Sequence, residues 1–423
     1  MMPPRQAHIG FVSTRLASTD GVSLETAKWV KVLTSMGYEC FFFTGESEWP
    51  ADRTMLVAEA HFKHPEIRRI NADLFDDYRR SAGTSLRIRA IKEHLKAHLY
   101  QFVRRFQVDL LVAENVLSLP MNVPLGLALA EFIAETGVPT IGHHHDFWWE
   151  RRRYAVSAAH DYLRAAFPPT LRAVRHVVIN SFAGHQLALQ TGAGYTVIPN
   201  VMDFEMPLPP VDEYARTVRS HMGLADGEYF LLQPTRIVPR KHIERAIELA
   251  RRLELPCALV ISHASGDEGD AYALYLREYA DLLGVRLIFA SDSVDTRRGR
   301  RPDGAPVYDL ADMYRQADLV TYPSDIEGFG NAFLETVYYR RPIVMNTYEI
   351  FKADIQPKGF KVIGFDGFVD EQCVARARAI LENPSLAEEM VNHNFEVGRR
   401  HYSFETLESH LVSLLYECLG AHT

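Results

Sequence analysis

Short apolar runs alternate with longer stretches whose apolar positions recur at helical spacing, and this alternation continues along most of the chain. Runs of this kind read as buried strands of a parallel sheet, and the amphipathic stretches as helices covering it. In the first half the pattern predicts strands near 9–13, 38–43, 110–113, 140–144, 177–180 and 197–199. Helices are predicted near 23–36, 85–106, 124–136, 157–167 and 182–190. The pattern breaks at Pro207-Leu208-Pro209-Pro210, which reads as a linker. It then restarts, with strands near 230–233, 258–262, 287–289, 319–322 and 343–346 and helices near 242–253, 271–283, 310–316, 331–340 and 371–382. The simplest account is an α/β protein of two doubly wound, Rossmann-like domains. In such sheets ligands bind beyond the carboxyl ends of the strands, so two domains facing across a cleft enclose a site there.

Composition narrows the class. A chain of 423 residues with 47% hydrophobic and 24% charged residues is ordinary for a soluble enzyme of two or three domains. A formal net charge of −8 argues against nucleic acid as the main partner. The four cysteines, Cys40, Cys257, Cys373 and Cys418, are far apart and form no C-x-x-C pair, which favours neither a zinc site nor a disulfide framework. The apolar run at 9–12 is too brief for a signal-peptide core, and the apolar window at 123–134 carries Glu131 and is too short to cross a bilayer. A cytoplasmic location is the expectation.

The richest segment is Ser324-Asp325-Ile326-Glu327-Gly328-Phe329-Gly330-Asn331-Ala332-Phe333-Leu334-Glu335. It follows an apolar strand, and Asn331 reads as the N-cap of a helix running to about Arg340. A glycine turn at a helix start brings backbone N–H groups to a phosphate, while Glu327 and Glu335 can accept hydrogen bonds from sugar hydroxyls. A surface turn with an acid favoured by the helix dipole is the plainer alternative. The strand at 230–233 leads into Arg236 and Lys241, five residues apart. At a strand end these two cations can neutralise a diphosphate leaving group, where a solvated basic loop would otherwise be the default.

In the first domain Asp20 and Gly21 follow the first strand, and Pro199-Asn200-Val201-Met202-Asp203 forms a turn after another. Three histidines end the strand at 140–144, in His143-His144-His145-Asp146-Phe147-Trp148-Trp149-Glu150-Arg151. Strand alternation puts His143 and His145 on one face and His144 on the other. No further ligands stand at a usual zinc spacing, so no metal is expected. A hydrogen-bonding role for His145 beside Asp146 is the better reading. Trp149 and Arg151 can form a platform and anion clamp for an acidic or sugar acceptor, or be ordinary core and surface residues.

Taken in order, Asp20-Gly21, His145-Asp146, the Pro-Asn-x-x-Asp turn, Arg236 with Lys241, and Glu327 with Glu335 resemble the retaining nucleotide-sugar glycosyltransferases of family 4, which have the GT-B fold. The His143–Arg151 segment and its neighbours are similar to a subgroup that includes mannosylglucosylglycerate-type synthases, which make small anionic compatible solutes. The resemblance implies an acceptor-side domain at 1–206, a donor domain at 207–403, and a last helix within 404–423 crossing back to the first domain. It implies that Arg236 and Lys241 hold the donor diphosphate and that Glu335 contacts the nucleotide ribose. Glu327 and the backbone of Phe329, Gly330 and Asn331 would meet the donor sugar, which His145 would also hydrogen-bond. Gly21 falls on the donor side; Asp20, His144, Asp146, Trp149, Arg151 and Asn200 fall on the acceptor side. Departures are the single glycine at Gly21, Val201 where Asn-Gly is usual, and the loop His263-Ala264-Ser265-Gly266-Asp267-Glu268-Gly269 where G-x-G is frequent.

The expected activity is transfer of a hexose from a nucleoside diphosphate sugar, with retention, to a small hydrophilic acceptor, anionic ones of the glucosylglycerate type included. No cofactor is expected beyond the nucleotide-sugar co-substrate, and no divalent metal is required. Alternatives are a lipid or polysaccharide acceptor at a membrane surface, to which the basic helix with Arg87, Arg89, Lys92, Lys96, Arg104 and Arg105 could attach, a phosphorylase or epimerase of the same fold, and a non-catalytic sugar-nucleotide-binding protein. Neither the donor base nor its sugar is legible.

Overall fold

The computed structural model describes residues 7–17, 20–265 and 269–420. Thr19 of the first loop and Gly266, Asp267 and Glu268 of the departing loop lie outside the described residues. The chain divides into two compact units, Met1–Val201 with Phe404–Thr423, and Met202–Ser403.

The first unit runs β1 (His8–Val12), α1 (Gly21–Ser35), β2 (Glu39–Thr44), β3 (Thr54–Leu56), α2 (Pro65–Leu74), α3 (Ala82–Phe106), β4 (Leu110–Glu114), α4 (Val123–Thr136), β5 (Thr140–His144), α5 (His160–Ala166), β6 (Val174–Val178), α6 (Ser181–Thr191) and β7 (Tyr195–Val197). Its seven strands are ordered β3-β2-β1-β4-β5-β6-β7, and every pairing is parallel. The order reverses between β1 and β4, the point where an open α/β sheet leaves a crevice at its carboxyl edge. Sequence reading misses β3, an edge strand of three residues, and α2, where Ile67, Ile70 and Leu74 are fully buried at helical spacing.

The second unit runs α7 (Glu213–His221), β8 (Tyr229–Gln233), α8 (Ile243–Leu253), β9 (Cys257–Ile261), α9 (Ala271–Leu283), β10 (Arg286–Phe289), a short antiparallel pair β11 (Gly299–Arg300) and β12 (Pro306–Val307), α10 (Leu310–Gln316), β13 (Leu319–Tyr322), α11 (Asn331–Tyr338), β14 (Ile343–Asn346), β15 (Ile363–Phe365), α12 (Glu371–Glu382) and α13 (Pro384–Tyr402). The six-stranded parallel sheet is ordered β10-β9-β8-β13-β14-β15, with its switch between β8 and β13. The Pro207–Pro210 stretch lies inside this unit, after its first residues. Met202 N donates to the Tyr402 carbonyl, and the Phe204 ring packs on Phe395 and Tyr338, so the apolar Phe204 draws the chain in before the prolines.

The last helix, α14 (Phe404–Leu419), belongs to the first unit. Leu407, Leu411, Leu414, Leu415 and Cys418 join Trp29, Val30 and Leu33 of α1 in one buried cluster. Among the described residues no helix is long and apolar enough to cross a membrane.

Candidate active site

At the β8–β13 switch the basic loop meets the glycine turn. Lys241 closes the short turn Pro239–Lys241 after β8, and its ammonium is ion-paired to Glu327; the two side chains are only 9% and 10% exposed. Arg240 stands 3.6 Å from the other Glu327 oxygen, and the Lys241 ammonium lies 5.4 Å above the Tyr322 ring. Burial alone would raise the Glu327 carboxyl, but Lys241 and Arg240 overcome it and hold Glu327 below the usual carboxylate range. Arg236 is exposed and makes no ion pair among the described residues, so its guanidinium is the cation available to an incoming anion.

The glycine turn departs from expectation in one respect. Gly330, not Asn331, is the N-cap of α11, with φ +113 and no side-chain cap; Asn331 is the first helical residue. The left-handed region suits a residue without Cβ, and a Cβ on Gly330 would fall 2.2 Å from the Tyr348 hydroxyl. That hydroxyl donates to the Phe329 carbonyl at 2.6 Å, fixing the turn from beneath. The helix ends at Tyr338 rather than Arg340, because Arg340 turns to φ +53. Glu335 accepts a hydrogen bond from the Tyr314 hydroxyl at 3.0 Å. The structure thus brings Lys241 and Glu327 into contact and ties Glu335 to a different partner.

Sequence reading names His263, just after β9, only as the start of a departing loop and gives it no role of its own. Its Nδ1 lies 2.8 Å from Ser262 Oγ. Burial, then the charges of Arg236 and Lys241, push it below the ordinary histidine value and keep it neutral beside those cations.

In the first unit Asp20 is the N-cap of α1. Its carboxylate accepts from the backbone N–H of Val22 and Ser23 at 3.1 Å each, from Ser23 Oγ at 2.9 Å and from Arg15 at 2.9 Å. These bonds occupy it in building the loop, and Gly21 beside it is exposed as the first helical residue. Asn200 is buried, in a turn pinned by α1: Val201 N donates to Glu25 at 3.3 Å and Lys28 donates to the Val201 carbonyl at 2.6 Å.

The three histidines separate as the strand period dictates. His143 Nδ1 and His145 Nε2 approach one Glu114 oxygen at 3.0 and 3.2 Å. Glu114 ends β4, the neighbouring strand, and is fully buried; burial would raise its carboxyl, but the two imidazoles bring it down to about 2. One ligand atom from each of the three groups lies within 4.8 Å of the others. The two contacts to a shared oxygen have hydrogen-bond length, and the cluster is complete as an ion-paired network.

His144, expected at an acceptor, is a correction. It points through the opposite face into the core, fully buried, with Nε2 2.9 Å from His176 Nδ1. The Trp149 ring stacks with one face on buried Phe147, centroids 4.5 Å apart. The Trp148 indole donates to the Phe167 carbonyl at 2.9 Å. Arg151 is exposed and pairs with Asp146 at 2.7 Å, leaving both at the end of β5 beside His145.

No family model matches the chain. It is 35% identical over 433 aligned positions to mannosylglucosylglycerate synthase of Thermotoga maritima, covering 95% of this chain and 97% of that one. The chain belongs to the mannosylglucosylglycerate synthase family. A second member of this family, from Petrotoga mobilis, is 30% identical over 84% of this chain and 86% of its own length. Solved structures show the fold of this chain. A glycosyltransferase of Rickettsia africae superposes with a TM-score of 0.70 at 12% identity, covering 98% of this chain and 99% of that chain. Sucrose-phosphate synthase of Thermosynechococcus elongatus gives 0.67 at 14% identity over 98% and 100%. Both speak to fold alone, and that fold is GT-B. This member of the mannosylglucosylglycerate synthase family is thus a GT-B glycosyltransferase, and its own strand ends carry the residues described above.

Proposed function

We propose that this protein transfers a hexose from a nucleoside diphosphate sugar to a glucosylglycerate-type acceptor, with retention at the anomeric carbon and without a divalent metal. The observation carrying this reading is the buried Lys241–Glu327 pair joining the loop after β8, which also carries the exposed Arg236, to the loop that leads into the Gly330 helix start, at one sheet switch point in a member of this family. The curated relatives are named for mannosylglucosylglycerate, which is the basis for the acceptor class.

Arg236 and Lys241 bind the diphosphate, a bidentate fork and a point charge that stabilise the negative charge developing as the bond to the anomeric carbon breaks. The N–H groups at the start of α11 add the helix dipole. Glu335 receives the ribose, and Glu327 with the backbone of Phe329, Gly330 and Asn331 receives the sugar, which His145 hydrogen-bonds. As the anomeric C–O bond to phosphate breaks, the acceptor oxygen bonds to the same face of that carbon and its proton passes to the departing phosphate oxygen. Arg151 and Asn200 suit the carboxylate and hydroxyls of the acceptor.

The membrane-surface alternative loses support on α3. Lys92 and Lys96, two of the cations it relies on, are ion-paired to Glu131, and Lys96 also to Glu135 at 2.8 Å.

Thermal shift with GDP, UDP and ADP and their sugars, with and without magnesium, selects the donor. Turnover with glucosylglycerate in excess chelator, and the anomeric proton coupling of the product, then test the rest. Retained configuration and chelator-resistant turnover support the proposal. An inverted product or abolition by chelator defeats it, and binding without nucleoside diphosphate release supports the non-catalytic alternative.

A further inference from the structure

Glu114 is a buried carboxylate with no lysine or arginine paired to it among the described residues. A carboxylate in that position needs a compensating positive charge, because an isolated ion in the interior is too costly to keep. Among the described residues its hydrogen-bonding partners are His143 and His145, and both donate, since an ionised carboxylate only accepts.

Which of them carries the charge follows from their second nitrogens. His143 Nε2 is buried without a hydrogen-bond partner, and the ring stacks on Trp29 with centroids 4.3 Å apart. A proton there would be an unsatisfied charged donor in the core. His145 is the more exposed ring, at 8% against 1% for the His143 side chain, and with Nε2 engaged its Nδ1 is the remaining polar atom. Its backbone is fixed as well: Asn115, in the left-handed region at φ +58, accepts the His145 N–H on its side-chain oxygen at 2.7 Å.

We infer that Glu114 is a positioning residue that holds His145 as an imidazolium of fixed orientation, so that His145 Nδ1–H is a charge-assisted donor to a sugar hydroxyl. The inference rests on the assignment of His145 to the sugar. The titratable groups around the ring are Glu114 on β4, Glu25 on α1, Asp146 in its own loop, and the neighbouring imidazoles of His143 and His144. Glu25 is itself paired to Lys28 at 2.9 Å and Asp146 to Arg151, which leaves Glu114 as the dominant anion. Burial would lower His145; Glu114 overcomes that and raises it above the ordinary histidine value. A charge-assisted donor is shorter and stronger than a neutral one, and it persists only while the proton stays.

The test is side-chain ¹⁵N NMR of histidine-labelled protein across pH, with the His145 signals assigned by their loss in His145→Gln, together with the pH profile of turnover. In the wild type His145 should be doubly protonated at pH 7. In Glu114→Gln its midpoint should fall by about one pH unit or more, with kcat falling about tenfold at pH 8, less at pH 6, and KM for the donor little changed. A neutral His145 in the wild type at pH 7 overturns the inference even if Glu114→Gln does not fold. An unshifted midpoint in a folded Glu114→Gln also overturns it, as does a stoichiometric bound metal lost in that variant. Full turnover by His145→Gln removes the sugar assignment instead, and the NMR midpoint then still reports the Glu114 pairing by itself.

Discussion

Lys241 and Glu327 form an ion pair nine-tenths removed from solvent, on loops that leave adjacent strands β8 and β13. Removing one member of such a pair leaves an uncompensated buried charge, whereas an exposed cation leaves nothing behind. Arg236 and Lys241, equivalent on paper as diphosphate ligands, should therefore behave differently. Lys241→Ala should lose turnover and also about 3 kcal/mol of stability. Arg236→Ala should lose at least tenfold in turnover with a stability change within about 0.5 kcal/mol. Urea unfolding alongside initial rates separates the two, and equal loss of folding and activity in Arg236→Ala would refute its role.

The same loop depends on a conformation only glycine takes easily. Gly330→Ala combines a left-handed φ with a Cβ 2.2 Å from the Tyr348 hydroxyl, so Tyr348 must move and release the Phe329 carbonyl. We expect a loss of about 1–3 kcal/mol in stability and weaker donor binding by calorimetry. Tyr348→Phe, which deletes only the hydroxyl, should weaken donor binding less. Equal donor affinity in wild type and Gly330→Ala would dissociate the turn from the phosphate.

These contrasts mark where the chain was legible. The Arg236–Lys241 and Glu327–Glu335 motifs are local, and their placement at strand ends follows from apolar periodicity, so both loops are legible as site loops, although periodicity does not say that β8 and β13 are neighbours. Asn331 was misread as a cap because residue preference favours asparagine there, while the backbone chose the left-handed glycine one position earlier. His144 was assigned to the acceptor although strand alternation already sent it to the opposite face. Glu114 was missed because its contact with His145 depends on which strand pairs with β5, and nothing local to Glu114 announces that pairing.

The His144–His176 contact predicts a pH dependence of its own. Both rings are buried and held below the ordinary value by burial, His176 at about 4. A histidine whose folded value lies below its unfolded value of about 6.5 favours folding above pH 6.5, and that contribution is lost as pH falls towards 4. For His176 it amounts to about 3 kcal/mol. The carboxylates held low, such as Glu114, lose their contribution below their unfolded values, so the window from about pH 4.5 to 6.5 isolates the histidines. Urea midpoints should fall across this window in the wild type and fall less in His176→Gln. Parallel curves for the two proteins would exclude the pair as the source.

The last helix ties stability to the first unit's site through a short chain of contacts. Leu411 of α14 is fully buried in the cluster that contains Trp29, and Trp29 stacks on His143, which donates to Glu114. Leu411→Ala should cost about 3 kcal/mol by the lost burial and the cavity left behind. Because interiors are close-packed, relaxation of Trp29 into that cavity loosens the ring stacked on it. Turnover should therefore fall at temperatures well below the unfolding midpoint, whereas Tyr416→Ala, on the exposed side of the same helix, should leave both midpoint and turnover near wild type. Unchanged turnover in a destabilised Leu411→Ala would confine α14 to a purely structural part in holding the first unit together.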